Sequence, residues 1–427
     1  MDKMDWAPGE IFAAPIVAHI DALRQGGPDY LTQAFRASGA LGADNRVASL
    51  SNVKDFAIGG TGAKASFDVT YEKPAPGLHQ RLFAKFSRNF SDPRRDRARH
   101  MLESEVRFAA LSRDPAFPIA VADCLYADFH SETGTGVLIT ERLAFGEHGI
   151  EPQAVKCFDY ELDDAIGHYR AIQAALGRLA GSHKAGKLPD GFAHYFPIDI
   201  DSLIAQDRIG FSAEQLQRRA ARMGEFAAQC PQLLPESLRD ADFYKQIAEE
   251  APFLLAHEDA IRRRLFANPD HVALCHWNAN IDNAWFWKTQ AGELQCGLLD
   301  WGRVGPMHIG QAIYGGLSGA EPELWDRHLD DLIALFASEF EQAGGPKLDL
   351  DEFKLAVNLV TATMGLAYIM DAPAIIAAKA PDYASATSRT DPRITQNEDA
   401  RTWLHMMAMF LNQWRTQDFG ALPERIL

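Results

Sequence analysis

The sequence predicts an α+β chain: a small N-terminal antiparallel-sheet lobe over residues 1–143, then a larger helical C-terminal lobe over 144–427. Three observations carry this. Strand-like segments dominate from about residue 50 to 143, and helical periodicity dominates after 150. The 427 residues, 47% of them hydrophobic, suffice for two buried cores rather than one.

The elements follow in order. Residues 1–48 read as helical and amphipathic, with Ile16, Ile20 and Leu23 on one face. Gly26-Gly27-Pro28 breaks that pattern, and Leu31 opens a second short segment. Asn52–Gly60 and Ala63–Glu72 read as strands joined by a glycine-rich turn, and Gln80–Arg88 as a third. Asp92–Asp114 reads as a helix, because Leu102, Val106 and Ala109 share a face. Ile119–Ala127 and Gly136–Leu143 read as two further strands around a polar turn. Strong amphipathic helices are expected at Asp163–Ala185, Ala213–Gln229, Leu324–Ala343, Asp351–Met370 and Asp399–Arg415. Ala380–Gln396, rich in Asp, Ser, Thr and Pro, reads as a loop.

Composition narrows the function. Asp+Glu 58 against Lys+Arg 42 gives a net charge of −16, which disfavours nucleic acid as a partner. Cys124, Cys157, Cys230, Cys275 and Cys296 are scattered, with no Cys-x-x-Cys spacing, so neither a disulfide framework nor a structural zinc is expected. The N-terminus has no basic segment and no apolar stretch of a signal peptide. The apolar run 355–370 is interrupted by Asn358, Thr361 and Thr363 and reads as a buried helix rather than a membrane span. The expectation is a cytoplasmic protein without membrane partners, acting on a small molecule.

The chemistry concentrates in His276-Trp277-Asn278-Ala279-Asn280-Ile281-Asp282-Asn283 and, seventeen residues after Asn283, in Asp300-Trp301-Gly302. Ala284–Trp287 and Cys296–Leu299 read as paired strands that carry the two pieces. Asn283 offers an amide oxygen and Asp300 a carboxylate, the hard oxygen donors that Mg²⁺ takes in phosphoryl transfer.

These residues resemble the aminoglycoside phosphotransferase and choline kinase superfamily, whose fold is the protein-kinase-like fold. The match lies at His276, at Asn283 and in Asp300-Trp301-Gly302. The resemblance implies ATP and Mg²⁺ as cofactors, with Asn283 and Asp300 on the metal. It also implies that Lys85, in Leu82-Phe83-Ala84-Lys85-Phe86, holds the phosphates. Glu105 would be its ion-pair partner on the following helix, with Glu103 the competing choice. Gly59-Gly60-Thr61-Gly62 resembles a phosphate-covering turn, although it also suits a plain hairpin. Val137–Leu143, which includes Glu141, resembles the strand leading to the adenine-contacting hinge. His276 is expected to pack and hydrogen-bond rather than to act as a base.

Asn278 departs from the pattern. The family places an Asp there to orient the acceptor hydroxyl and take its proton, and an amide does not accept a proton near neutral pH. Losing such a base costs roughly 10²–10⁴ in rate. The bracing Gly-Asp-Pro-x-x-Asp segment is also replaced, by Gly305-Pro306-Met307-His308-Ile309-Gly310. Asp282 is the acid within the octapeptide, and it either faces the acceptor or points away. Asn280-Ile281-Asp282-Asn283 is similar to a loop of selenoprotein O, a kinase-fold AMP transferase with an acid before its metal Asn. The expected function is Mg-ATP-dependent phosphate transfer to a hydroxyl of a small metabolite. The alternatives are nucleotide binding without transfer and AMP transfer on the same fold.

Overall fold

The computed structural model describes residues 5–56, 62–87 and 95–426, apart from the side chains of 95–98. Packing divides the chain into two compact units. One comprises Met1–Glu151, Leu188–Pro197 and Gly297–Gly305; the other comprises Pro152–Lys187, Ile198–Cys296 and Pro306–Leu427. Two excursions, 188–197 and 297–305, thus return to the first unit.

The first unit contains β1 (Trp6–Pro8), β2 (Pro15–Val17), α1 (Ile20–Ala37), β3 (Val47–Phe56), β4 (Ala63–Tyr71), β5 (Arg81–Phe86), α2 (Arg95–Leu111), β6 (Ala120–Val121), β7 (Cys124–His130) and β8 (Thr135–Glu141). Strands β3-β4-β5-β8-β7 form one sheet, antiparallel throughout. Its two faces follow from the two-residue repeat of a strand. Ala65, Phe67, Val69, Leu82, Ala84, Phe86, Val137 and Ile139 pack with Leu23, Leu31 and Phe35 of α1. Ala127, Phe129 and Leu138 pack with Leu102, Val106 and Ala109 of α2. The sheet therefore lies between two helices, and a side chain out of phase with the α1 core is delivered to α2.

Two expectations are corrected here. The segment around Ile16 is not helical: β1 and β2 pair antiparallel, with Ala7 opposite Ile16. The helix starts only at Ile20, where His19 Nδ1 accepts the Ala22 N–H, and Gly27, at φ 53°, breaks it as its sequence signalled. The expected strand Ile119–Ala127 is two strands. β7 pairs with β8, whereas β6 runs parallel to the end of a later strand, β11 (Leu294–Leu298), with Ala120 opposite Gly297.

The second unit is mainly helical. In chain order it contains α3 (Ala165–Lys184), α5 (Ile200–Ala205), α6 (Ala213–Gln229), α7 (Ala241–Ala256) and α8 (Glu258–Phe266); the short α4 (Gly191–Tyr195) belongs to the first unit. Then come β9 (Val272–Cys275), β10 (Ala284–Lys288) and β12 (Gly305–His308). Helices α9 (Ile309–Leu317), α10 (Pro322–Ala343), α11 (Leu350–Tyr368), α12 (Ala372–Lys379), α13 (Pro392–Thr395) and α14 (Glu398–Thr416) complete it. Capping explains several boundaries. Ser212 and Gln215 form a reciprocal capping box at the start of α6, and Pro322 sits in the first turn of α10. α13 interrupts the loop expected over 380–396; Asp391 caps it by accepting the Arg393 N–H at 3.0 Å. Residues 355–366 of α11 are buried, and no single helix among the described residues is long and apolar enough to cross a membrane. All five cysteines are free.

One buried carboxylate anchors the N-terminal segment. Asp128 on β7 is fully buried and accepts the N–H groups of Glu10, Ile11, Phe12 and Phe129 at 2.8–2.9 Å. Asp128→Ala leaves several donors without an acceptor, each costing about 1–3 kcal/mol. Chemical denaturation of that variant should therefore show a loss of several kcal/mol, with fast amide exchange at residues 10–12.

Candidate active site

In the first unit the candidate residues start on β5. Ala84 and Phe86 face the α1 core, so Lys85 points to the opposite face, toward α2. There its ammonium is 2% exposed, and a buried cation must find negative charge. It finds two carboxylates: Glu105 Oε2 at 2.6 Å and Asp300 Oδ1 at 2.9 Å. Burial by itself lowers the Lys85 pKa, but the charges of Glu105 and Asp300 outweigh it and raise the pKa above its ordinary value, so the cation persists. Glu103, the competing choice, is instead engaged by Arg107 at 2.8 Å. One ammonium between two carboxylates leaves an excess negative charge, and Asp300, at 41% side-chain exposure, carries it where a cation can reach.

Helix α2 acts twice. Phe108, one turn beyond Glu105, stacks on Trp301 with ring centroids 3.9 Å apart. The Trp301 indole N–H donates to the Leu298 carbonyl at 3.0 Å. Between them Asp300 adopts φ 55°, the left-handed region that non-glycine residues seldom enter. The stacked indole and the ion pair hold it there.

Gly62 precedes β4 where it crosses the end of β5; a Cβ would lie 2.1 Å from the Phe86 carbonyl oxygen. No other residue allows that approach. Gly59 and Gly60 lie outside the described residues. Glu141, at the end of β8, is already engaged. Its N–H donates to the Asp123 carbonyl at 2.9 Å, and its carbonyl accepts the Thr140 hydroxyl. Its side chain accepts the Asp123 N–H at 3.0 Å and lies 3.6 Å from His79 Nδ1. His79 turns its other nitrogen to Asp123 at 2.8 Å, which raises its pKa. One imidazole nitrogen for each acid makes an ion-pair clamp rather than ligands converging on one metal. Glu141 thus ties the strand end together.

The second unit presents the octapeptide between β9 and β10. His276 is fully buried, and its Nδ1 accepts the Asn278 N–H at 3.1 Å, so it shapes the loop from below. Asn283 Nδ2 donates to the Asn278 carbonyl at 2.9 Å, and Asn283 N–H to the Asn280 carbonyl at 2.8 Å. Those bonds fix the amide of Asn283 and leave its Oδ1 available as an oxygen ligand. Asp282 is half-buried, and its charge acts on Cys157, Asp159 and Tyr169, all in the second unit. Asp159, which accepts the Tyr169 hydroxyl, is 1% exposed. Burial, supported by the charges of Glu321 and Asp282, pushes its pKa up to about 7.

The brace of the loop is Asn280, which the motif alone did not single out. Its Oδ1 accepts the Gly319 N–H at 2.8 Å and the Ser318 hydroxyl at 3.2 Å. Helix α9 comes close enough because residue 315 is glycine: a Cβ there would lie 2.3 Å from the Trp277 carbonyl oxygen. The sequence signal was the Gly315-Gly316 pair and Gly319 in the segment after Asp300-Trp301-Gly302. His308 caps α9 by accepting the Gly310 N–H at 3.0 Å.

No protein-family model matches the chain, and no curated protein matches it in sequence. Similar solved structures are choline kinase from Cryptosporidium parvum Iowa II, a microcompartment-associated aminopropanol kinase, and an aminoglycoside phosphotransferase from Streptomyces rimosus. Their identities are 12%, 15% and 19%, and their TM-scores 0.44, 0.41 and 0.33. The matches cover 96%, 82% and 73% of this chain, and 96%, 95% and 93% of those chains. At these values no residue role passes from them to this chain.

Two outcomes follow from the buried charges. Lys85→Met strands Glu105 without its cation and should cost about 3–5 kcal/mol in denaturation. The double variant Lys85→Met/Glu105→Leu should recover most of that loss. Asp159 keeps its proton to about pH 7, whereas an unfolded Asp loses it near pH 4. Between those values the unfolded state has released a proton that the folded state retains, so stability falls as pH rises. Asp159→Asn should flatten that fall when unfolding is compared at pH 5 and pH 8.

Proposed function

We propose that this chain is a Mg²⁺- and ATP-dependent phosphotransferase that moves a phosphate to an oxygen of a small-molecule acceptor. The observation that carries the reading is the Lys85 ammonium held at once by Glu105 and Asp300, with the excess charge on the exposed Asp300. That arrangement fits a divalent cation and the phosphates it accompanies. The donor set agrees: the Asp300 carboxylate and the Asn283 amide oxygen are hard oxygen ligands of the type Mg²⁺ takes. Mg²⁺ held by Asp300 and Asn283 would neutralise negative charge that develops during transfer.

The chain's own groups divide the remaining work. Glu105 keeps Lys85 charged and aimed, so Lys85 contributes a fixed cation for phosphate oxygens. Asp300 is pre-positioned by the Trp301 stack, and Gly62 keeps the start of β4 close over β5. The amide of Asn283 is oriented by its bond to the Asn278 carbonyl before any ligand arrives. Phosphoryl transfer depends mostly on such positioning and electrostatics, so the reaction tolerates the loss of a carboxylate at 278.

ATP with Mg²⁺ should raise the melting temperature of the purified chain, and ADP should accumulate once an acceptor is present. Asp300→Ala and Asn283→Ala should each reduce turnover by roughly 10²–10³-fold, the scale for one stabilising group in a transition state. Stabilisation by ATP without release of ADP or pyrophosphate would support binding without transfer. Release of pyrophosphate would instead identify AMP transfer.

A further inference from the structure

The hydrogen bonds around Asn278 have a polarity that can be read outward from one fixed donor. The Gly319 N–H is a backbone donor, and at 2.8 Å from Asn280 it demands an oxygen there. The Asn280 amide is therefore oriented with Oδ1 toward Gly319 and Ser318 and Nδ2 toward Asn278. Nδ2 is a donor, so Asn278 must meet it with Oδ1. The remaining end of Asn278 is its NH₂ group, which has only hydrogens to offer and makes no hydrogen bond among the described residues. Asn280 and Gly319 are buried, so water does not relax this chain of orientations.

A second observation lies in the same unit. A cavity of about 260 Å³ is lined by Cys157, Tyr160, Glu321, Arg389, Arg401 and His405, next along the chain from the 318–319 segment that braces Asn280. Glu321 is neutralised by Arg389 at 2.9 Å. Arg401, 9% exposed, donates only to the carbonyls of Lys156 and Thr395 and meets no carboxylate among the described residues. Its guanidinium lies over the Phe158 ring, 4.4 Å from the centroid, and although the cavity wall also carries Glu323, no carboxylate among the described residues pairs with Arg401, so an anion can use its remaining donors.

We propose that the acceptor is a small anionic molecule whose nucleophilic oxygen is already ionised at neutral pH, a carboxylate or a phosphate monoester, and that Asn278 is the residue that selects it by donating from Nδ2. This rests on the phosphotransferase reading above and names its substrate class. A hydroxyl needs an acceptor for the proton it sheds, and a donor amide competes for the lone pair it attacks with. An ionised oxygen has no proton to shed and gains from the donor. In the transfer, the acceptor oxygen's lone pair forms the new O–P bond to the terminal phosphorus of ATP. The bond from that phosphorus to the bridging oxygen breaks, and ADP leaves with its electron pair. No proton is released, so no base is required.

The test is turnover of the full chain with ATP and Mg²⁺ on matched panels: small carboxylic acids, phosphate monoesters, and neutral or amino alcohols. Products are read by mass spectrometry and proton release by a pH indicator. The expected result is ADP formation with the anionic panels and without proton release. Hydroxylamine trapping of an acyl phosphate would identify the carboxylate source, and a diphosphate product the phosphate source. Asn278→Asp keeps an oxygen for Asn280 but presents a carboxylate outward. Its melting temperature should stay near that of the parent. Its KM for an anionic acceptor should rise roughly tenfold to hundredfold, the size of one hydrogen bond to a charged group. Turnover only on alcohols, with one proton released per ADP, would overturn the anionic acceptor and leave the phosphotransferase reading standing. No turnover on any panel, with ATP still stabilising the fold, would overturn both.

Discussion

The Lys85 ammonium organises the first unit. Burying a lone cation is prohibitive, so β5 is viable only with a carboxylate from α2 above it. Glu105 meets that need, and the same helix places Phe108 on Trp301. The turn carrying Asp300 is thereby drawn onto the sheet from a point in the chain more than two hundred residues away. Asp300 is the second carboxylate on a single cation. The N-terminal segment depends on a comparable device, since Asp128 gathers its backbone donors inside β7.

In the second unit the controlling feature is hydrogen-bond direction rather than charge. Three asparagines stand in the octapeptide, and each has a distinct task. Asn280 transmits the polarity of a backbone N–H from the segment after α9. Asn278 is turned by it, and Asn283 is turned by the Asn278 carbonyl so that its own oxygen remains available. An aspartate at any of these positions would carry charge but no direction, because a carboxylate has oxygens at both ends. The amide of Asn278 has no set direction when considered alone and becomes a directed donor once its neighbours are included. Asp282, the remaining acid of the loop, exerts its charge on Asp159 and Tyr169, and burial pushes the Asp159 pKa up to about 7.

Much of this was legible in the residue pattern. Amphipathic periodicity located α3, α6, α10, α11 and α14 to within a few residues, because an apolar face at helical spacing has few other uses. Glu105 was set above Glu103 by the resemblance and by its place three residues beyond Leu102, at the border of the apolar face; in the structure Glu105 meets Lys85 and Glu103 meets Arg107. The failures were local signals with two solutions. Ile16, Ile20 and Leu23 suit a helix, but Ile16 pairs in a short hairpin and only the later two residues are helical. Residues 119–127 are uniformly strand-like, yet two different partners claim their two ends.

Residue type and spacing are enough to identify the chemical groups of this protein: a strand lysine, a helix glutamate, an Asp-Trp-Gly turn and a loop with three amides. Those are properties of residue type and spacing, and spacing along a strand or helix dictates facing. How those groups are oriented depends on contacts between segments far apart in the chain. The excursion of 297–305 to the first unit puts Asp300 on Lys85, and Gly315 lets α9 close on Trp277 so that Gly319 reaches Asn280. Neither event is local, and an amide has two ends that differ only in which partner they accept. The identity of that partner comes from a segment thirty-nine residues away, so no reading of the octapeptide alone could have said which end of Asn278 faces outward.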